Sequence, residues 1–150
     1  MNLKNTSILI IMKYKYFDHT ADCMFEAYGK TLPIAFSNAT LAMFNLLVDI
    51  NKVRYVEKFE IKIKANQLRK LLFDYLDELI FLMDTKYVLI SKVEHMEIKE
   101  FNGEYELNCV VYGDFAKNYE THGDIKAPTY NQMLIKQEND IWTLRIVVDI

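Results

Sequence analysis

The strongest constraint on the fold is an apolar stripe at helical spacing between residues 68 and 83. Its members recur every three or four positions, and charged residues such as Arg69, Lys70 and Asp74 fall between them. The stripe consists of Leu68, Leu71, Leu72, Tyr75, Leu76, Leu79, Ile80 and Met83. This pattern predicts a long amphipathic helix with its apolar side in the core, its acidic residues in solvent and Asn66 as N-cap.

A second helix is predicted directly after a short strand. Residues 23–28 alternate in a way that indicates a strand buried on much of both faces, and Gly29 ends it. Thr31 is then a suitable N-cap, and Pro33 fits the first turn, where its missing N–H is not needed. The predicted core face of this helix is Ala35, Phe36, Ala39, Ala42, Met43, Leu46 and Leu47.

The other segments read as strands joined by turns. We predict them at 59–64, 87–90, 93–99, 105–112 and 142–149, with a broken strand at 124–136. Asn102 and Gly103 suit the positive φ values of a type I′ hairpin turn. Two helices among hairpin strands, without regular βαβ alternation, indicate an α+β fold with two core helices packed on largely antiparallel β-sheets.

Composition limits the classes of protein that need to be considered. At 150 residues with 51% hydrophobic residues, the chain suits one domain with a real core. Its 18 basic and 21 acidic residues give a net charge of −3, which argues against direct nucleic-acid binding. Cys23 and Cys109 stand in hydrophobic surroundings, which is typical of buried thiols in a reducing compartment, so we expect a cytoplasmic protein.

The N-terminal residues allow two interpretations. The apolar run at 7–12 is too short to span a membrane and lacks a small-residue cleavage site, so we expect neither a targeting signal nor a membrane anchor. Residues 1–12 form either an extension ahead of an alternative start at Met12 or an added edge strand. The single domain is predicted at 13–150.

Familiar catalytic motifs are not found. The four glycines are scattered and form no phosphate-binding loop, and the three histidines are not spaced for zinc. Nothing near Cys23 would lower its pKa, so we interpret it as a structural thiol. The sequence therefore indicates a protein that is not an enzyme of a familiar kind.

Carboxylates near the two ends suggest a metal site. Asp149 is penultimate and Ile150 carries the terminal carboxylate, so two negative charges are held close together, which favours a cation between them. By period-2 logic Asp149 points away from the side lined by Trp142, Leu144, Ile146 and Val148. A third carboxylate from Asp18 or Asp22 would make an all-oxygen site for Ca²⁺, Mg²⁺ or Mn²⁺. The alternative is that these aspartates only cap turns.

Five ordered motifs resemble the archease family. They are the run "YFDHTADCMFEAYGKTLPIAFSNATLAMFNLLVD", then "LLFDYLDELIFLMDT", "VVYGD", "IKAPTYNQMLI" and the terminal "VVDI". The resemblance extends from Tyr14 to Ile150. It implies a protein cofactor of the GTP-dependent RNA-splicing ligase in tRNA splicing, which promotes guanylylation of the ligase and its multiple turnover.

The resemblance also implies a metal site, for which several readings are open. A divalent cation, most simply Ca²⁺, would be held by Asp22, Asp149 and Ile150. A second reading makes the metal purely structural, with docking to a partner through a patch made of His122, Lys126, Thr129 and Tyr130. A third is a chaperone-like modulator of a tRNA-modifying enzyme such as a methyltransferase, and a fourth is an independent metallohydrolase.

Two positions depart from the family pattern. Asn131 stands where the family commonly has His, and Pro128 replaces a small aliphatic residue. Asn131 can form hydrogen bonds but cannot exchange a proton near neutral pH, so any proton-transfer role at this position is in doubt.

Overall fold

The computed structural model describes residues 12–18 and 22–150. Within these residues the chain forms two α-helices, seven strands and two short 3-10 helices, at Ile50–Lys52 and Ala116–Asn118. In chain order the α-helices and strands are β1 (Tyr14–Phe17), β2 (Cys23–Gly29), α1 (Leu32–Phe44), β3 (Glu57–Ala65), α2 (Leu68–Lys86), β4 (Val88–Phe101), β5 (Glu104–Phe115), β6 (Ala127–Glu138) and β7 (Ile141–Asp149). Of the predicted extension at 1–12, only Met12 is among the described residues.

The strands form two antiparallel sheets. One has the order β1-β2-β7-β6, and the other has the order β3-β5-β4. Helix α1 packs against β2 and β4, and α2 packs against β6 and β3, so the helices link the two sheets through a common core. The predicted α+β class with two core helices is therefore confirmed.

Helix α1 begins as its sequence predicts, but it ends at Phe44, before Leu46 and Leu47 of the predicted core face. The hydroxyl of Thr31 accepts a hydrogen bond from the Ile34 N–H at 3.3 Å, and Pro33 lies in the first turn. Its first half buries Ala35, Phe36 and Ala39 completely. This capping satisfies one of the N–H groups that a helix start leaves unpaired.

Helix α2 starts one residue later than predicted. The N-cap is Gln67 and not Asn66, and the Gln67 side chain makes no capping hydrogen bond. At the other end Tyr87 has a φ of 58° and donates its N–H to the Met83 carbonyl, which closes the helix in the left-handed conformation. The predicted stripe is buried at Leu71, Leu72, Tyr75, Leu76, Leu79 and Ile80.

The two strands predicted at 87–90 and 93–99 are one strand, β4. Its pairing with β5 shifts once around Ser91 and again around His95, so two bulges interrupt the alternation without ending the ladder. The predicted hairpin follows, with φ values of 51° at Asn102 and 78° at Gly103. Both signs match a type I′ turn.

Strand β7 is an interior strand and β6 is irregular. β7 pairs with β2 on one side and β6 on the other. The β6 register passes from the Thr129–Val147 pair directly to the Leu134–Arg145 pair, so residues 130–133 bulge out of the ladder. The prediction of a broken strand in this region is confirmed.

Candidate functional site

The two aspartates near the chain ends lie beside neighbouring strands. The antiparallel ladder of β2 and β7 ends at the pair Cys23–Val148. Asp22 directly precedes Cys23, and Asp149 directly follows Val148. One further step of this register brings Asp22 opposite Asp149, and directly opposed residues in a sheet have Cβ atoms about 5 Å apart.

Strand β6 fixes Asp149 from its other side. Ala127 pairs with Asp149, and the Lys126 N–H donates to the Asp149 carbonyl at 2.8 Å. The Lys126 side chain is exposed. Asp149 is thus held at the end of β7, between β2 and β6. Its carboxylate and the carboxylate of Ile150 are therefore attached to a regular strand backbone.

Burial along β7 ends at the candidate site. Val148 is fully buried, whereas Asp149 is exposed and Ile150 is 49% exposed. Asp149 lies on the opposite face of β7 from Val148, as predicted. That same face is covered two residues earlier, where Val147 is fully buried. The exposure of Asp149 therefore reflects the end of the strand as well as its alternation.

The strand order distinguishes the two candidate aspartates near the N-terminus, Asp18 and Asp22. Asp18 follows β1, which lies on the side of β2 away from β7. Its neighbour Phe17 pairs with Met24, and Asp18 is exposed. The topology thus favours Asp22 over Asp18 as the partner of Asp149.

The chemistry of this donor set suits a hard cation. Carboxylates directly opposed on adjacent strands repel each other, and a divalent ion bound by oxygen atoms relieves that repulsion. No three His, Cys, Asp or Glu side chains within residues 12–18 and 22–150 form a metal-binding group by themselves. A site here depends on the main-chain carboxylate of Ile150 as its third donor.

The four predicted docking residues have different environments. His122 is exposed, and its backbone N–H donates to the Leu47 carbonyl at 2.9 Å. The Lys126 backbone is hydrogen-bonded to Asp149. The Thr129 hydroxyl donates inward to the Val147 carbonyl at 2.8 Å. Tyr130 is 44% exposed and packs on α2. Asn131 is exposed and donates its backbone N–H to the Thr129 hydroxyl at 3.3 Å.

Sequence reasoning missed two side-chain clusters near the site. Arg145 and Glu26 form an ion pair across β7 and β2, on the same face as Asp22 and Asp149. Arg69 and Phe73 of α2 lie against the Tyr130 ring. Each pairing joins residues far apart in the chain, so no local pattern could have revealed it.

The cysteines fit the structural interpretation. Burial raises the pKa of the half-buried Cys23 thiol, and it raises the pKa of the buried Cys109 thiol to about 11. Both thiols therefore stay protonated at neutral pH, and a protonated thiol is a poor nucleophile. No helix in the described part of the chain combines the length and the apolarity needed to cross a membrane.

Comparisons with known proteins agree on one family. The model of the Archease protein family matches residues 14–150. The protein archease of Methanosarcina acetivorans is 39% identical over 140 residues, which cover 92% of this chain and 96% of that protein.

Two solved structures share the fold of this chain. The solution structure of Methanobacterium thermoautotrophicum protein 1598 superposes with a TM-score of 0.82 at 34% identity, over 92% of this chain and 99% of that one. A Thermotoga maritima crystal structure, described as an archease and possible chaperone, superposes with a TM-score of 0.52 at 20% identity, over 91% and 96% of the two chains. The second likeness concerns the fold alone.

Proposed function

Because this chain belongs to the archease family, we propose that it is a non-enzymatic protein cofactor of the GTP-dependent RNA-splicing ligase. In this role it promotes guanylylation of the ligase's active-site histidine and repeated turnover during tRNA splicing in the cytoplasm. The observation that carries the proposal is the register of β2 and β7, which leads to Asp22 opposite Asp149 next to the carboxylate of Ile150.

Three groups of this chain would hold a divalent cation. They are the side-chain carboxylates of Asp22 and Asp149 and the main-chain carboxylate of Ile150, a set suited to Ca²⁺ and also acceptable to Mg²⁺ or Mn²⁺. Such an ion, when bound, supplies positive charge that can neutralise charge developing on a triphosphate.

The chain's own contribution is to position these carboxylates. The ladder of β2 and β7 sets the spacing of Asp22 and Asp149, and the Lys126 N–H fixes the Asp149 backbone from the β6 side. The exposure of Asp149 and Ile150 leaves these two donors accessible to a partner. With a net charge of −3, the protein is suited to contact the ligase rather than RNA.

The test is a ligase-guanylylation assay with and without this protein at several divalent-ion concentrations. A Gly-Ser extension of the C-terminus converts the Ile150 carboxylate into an amide, and the same extension at the N-terminus is the matched control. We expect the C-terminal extension to abolish stimulation while the fold is retained, and the control to stimulate normally. Equal stimulation by the two extended proteins would contradict the proposal.

A second candidate is a chaperone-like modulator of a tRNA-modifying enzyme, such as a methyltransferase, with a purely structural ion. Its support is the location of the carboxylates at the junction of β2 and β7, where an ion would fasten one strand to the other. The Asp22→Ala variant separates the two candidates. Loss of folding favours the structural ion, whereas a folded variant that fails to stimulate guanylylation favours the ligase cofactor.

A further inference from the structure

Tyr130 of β6 and two residues of α2 form an exposed, ordered cluster. The Tyr130 ring stacks on the Phe73 ring, with centroids 4.4 Å apart and planes inclined by 9°. The Arg69 guanidinium lies over the Tyr130 ring, 5.7 Å from its centroid, and donates to the Tyr130 carbonyl at 3.4 Å. The Tyr130 side chain is thus fixed by packing although the residue is 44% exposed.

The cluster keeps an unneutralised positive charge. Lys70, the next residue, is paired with Asp74 at 2.5 Å, but Arg69 is exposed and has no ion pair within the described residues. A partner that offers a carboxylate to Arg69 and an apolar surface to Tyr130 would satisfy both. Tyr and Arg are among the residue types that most often dominate binding energy at protein interfaces.

The cluster and the candidate metal site both lie near the start of β6, the outer strand of its sheet. Ala127 pairs with Asp149, and Tyr130 lies three residues further along β6, a distance of about 10 Å along a strand. A protein interface of ordinary size, roughly 800 Å² on each partner, is wide enough to span this distance. Alternation along β6 places Tyr130 on the opposite face of the sheet from Asp149. A single partner therefore contacts both features by reaching around the outer edge of β6.

We propose that Tyr130 and Arg69, supported by Phe73, are the anchor through which this chain docks on the RNA-splicing ligase. The inference rests on the proposed function and adds a surface to it. The complementary ligase surface is an apolar pocket with an Asp or Glu at its rim. Because the stack already fixes the Tyr130 ring, docking costs little side-chain entropy.

The experiment measures the affinity of the purified ligase for variants of this protein by calorimetry, with the urea midpoint of each variant as a folding control. We expect Tyr130→Ala to weaken binding about tenfold, since truncating such anchors commonly has an effect of this size. Tyr130→Phe keeps the ring and should bind within threefold of wild type. Phe81→Ala removes another exposed aromatic of α2, 58% exposed, and should have no effect.

Arg69→Lys tests the anchor without altering the stack of Tyr130 on Phe73. Lysine keeps the charge but loses the planar group that lies over the ring, so we expect weaker binding with an unchanged urea midpoint. In all these variants the affinity for Ca²⁺ should stay within twofold of wild type, which separates docking from ion binding.

The failures of the two proposals are distinguishable. Wild-type protein that binds and stimulates the ligase, together with Tyr130 and Arg69 variants that bind equally well, would overturn the anchor and leave the proposed function standing. Wild-type protein that neither binds nor stimulates the ligase would overturn both. If Tyr130→Ala instead abolished self-association or RNA binding of the wild-type chain, the cluster would serve another occupant and the anchor would be rejected.

Discussion

Arg145 donates a hydrogen bond from Nε to one oxygen of Glu26 at 3.0 Å across strands β7 and β2, and its Nη2 forms an ion pair with the same oxygen at 2.9 Å. The other carboxylate oxygen of Glu26 accepts from the Tyr28 hydroxyl at 2.8 Å. Burial and the neighbouring Glu26 carboxylate raise the pKa of Tyr28, so its hydroxyl remains a donor. The pair lies on the same face of the sheet as Asp22 and Asp149. A shift of β7 by one residue against β2 would turn its side chains to the other face and separate Arg145 from Glu26.

Removal of Arg145 should destabilise the protein. Arg145→Met leaves the charge of Glu26, which is only 9% exposed, without its partner. We expect the free energy of unfolding to fall by about 2 kcal/mol, below the 3–5 kcal/mol of a fully buried pair because the Arg145 side chain is partly exposed. The double variant Glu26→Gln with Arg145→Met should recover most of that loss. Urea unfolding measures both, and equal stability of Arg145→Met and wild type would contradict the expectation.

Asp114 should make stability depend on pH. It is 5% exposed, and it accepts hydrogen bonds from the Tyr119 hydroxyl and the Phe115 N–H, each at 2.8 Å. These bonds, that from Tyr119 first, hold the pKa of Asp114 below its ordinary value. The unfolded chain therefore takes up a proton at higher pH than the folded one, so the contribution is complete above the ordinary value of about 4 and is lost as pH falls through the folded pKa.

Asp114→Asn removes this titration. We expect the loss of unfolding free energy between pH 6 and about pH 3 to be smaller in Asp114→Asn than in wild type, as measured by urea unfolding at each pH. Glu104→Gln, which changes an exposed carboxyl on the same strand, should leave the pH dependence as in wild type. An identical pH dependence in Asp114→Asn and wild type would refute the role of Asp114.

Two glycines should differ sharply in their tolerance of alanine. A Cβ atom at Gly113 would lie 1.8 Å from the Leu89 carbonyl oxygen, so β4 and β5 would have to separate. We expect Gly113→Ala to cost about 3 kcal/mol or more. Gly103, with a φ of 78°, has open space around it, and Gly103→Ala should cost only about 1 kcal/mol for the left-handed backbone. Thermal unfolding compares the two, and similar costs would be evidence against this packing.

Calcium should stabilise the protein through the candidate site. If the ion binds only the folded chain, a free calcium concentration of 100 times the Kd adds about 2.7 kcal/mol to the free energy of unfolding. For a chain of this length, that raises Tm by about 5 °C or more. We expect the increase to disappear with EDTA, and to be lost in Asp22→Asn, in Asp149→Asn and after the C-terminal Gly-Ser extension. Asp18→Asn is the matched control and should respond as wild type does. A calcium response that survives Asp149→Asn would locate the ion elsewhere.

The sequence predicts those parts of this fold that depend on neighbouring residues. Helix α2 follows from its apolar stripe, the start of α1 from Thr31 and Pro33, and the hairpin turn from Asn102 and Gly103. The spacing of apolar side chains and the residue preferences of turns involve only a few neighbouring residues, so both can be recognised directly in the sequence.

The parts that could not be predicted depend on contacts between distant segments. The cap expected at Asn66 is replaced by Gln67, and the bulges of β4 merge two predicted strands into one. Bulges depend on the pairing partner, which a single strand does not reveal. In the candidate site, the residue pattern alone leaves Asp18 and Asp22 open. The family resemblance prefers Asp22, and the strand order supports that preference, since β2 lies between β1 and β7.

The interior position of β7 has a consequence for biosynthesis. Glu26 and Arg145, which face each other in the finished sheet, are 119 positions apart in the chain. At roughly 5–20 residues per second a ribosome needs on the order of ten seconds to deliver the second after the first. Throughout that interval the nascent chain presents β2 with an open edge, the kind of surface on which chains aggregate.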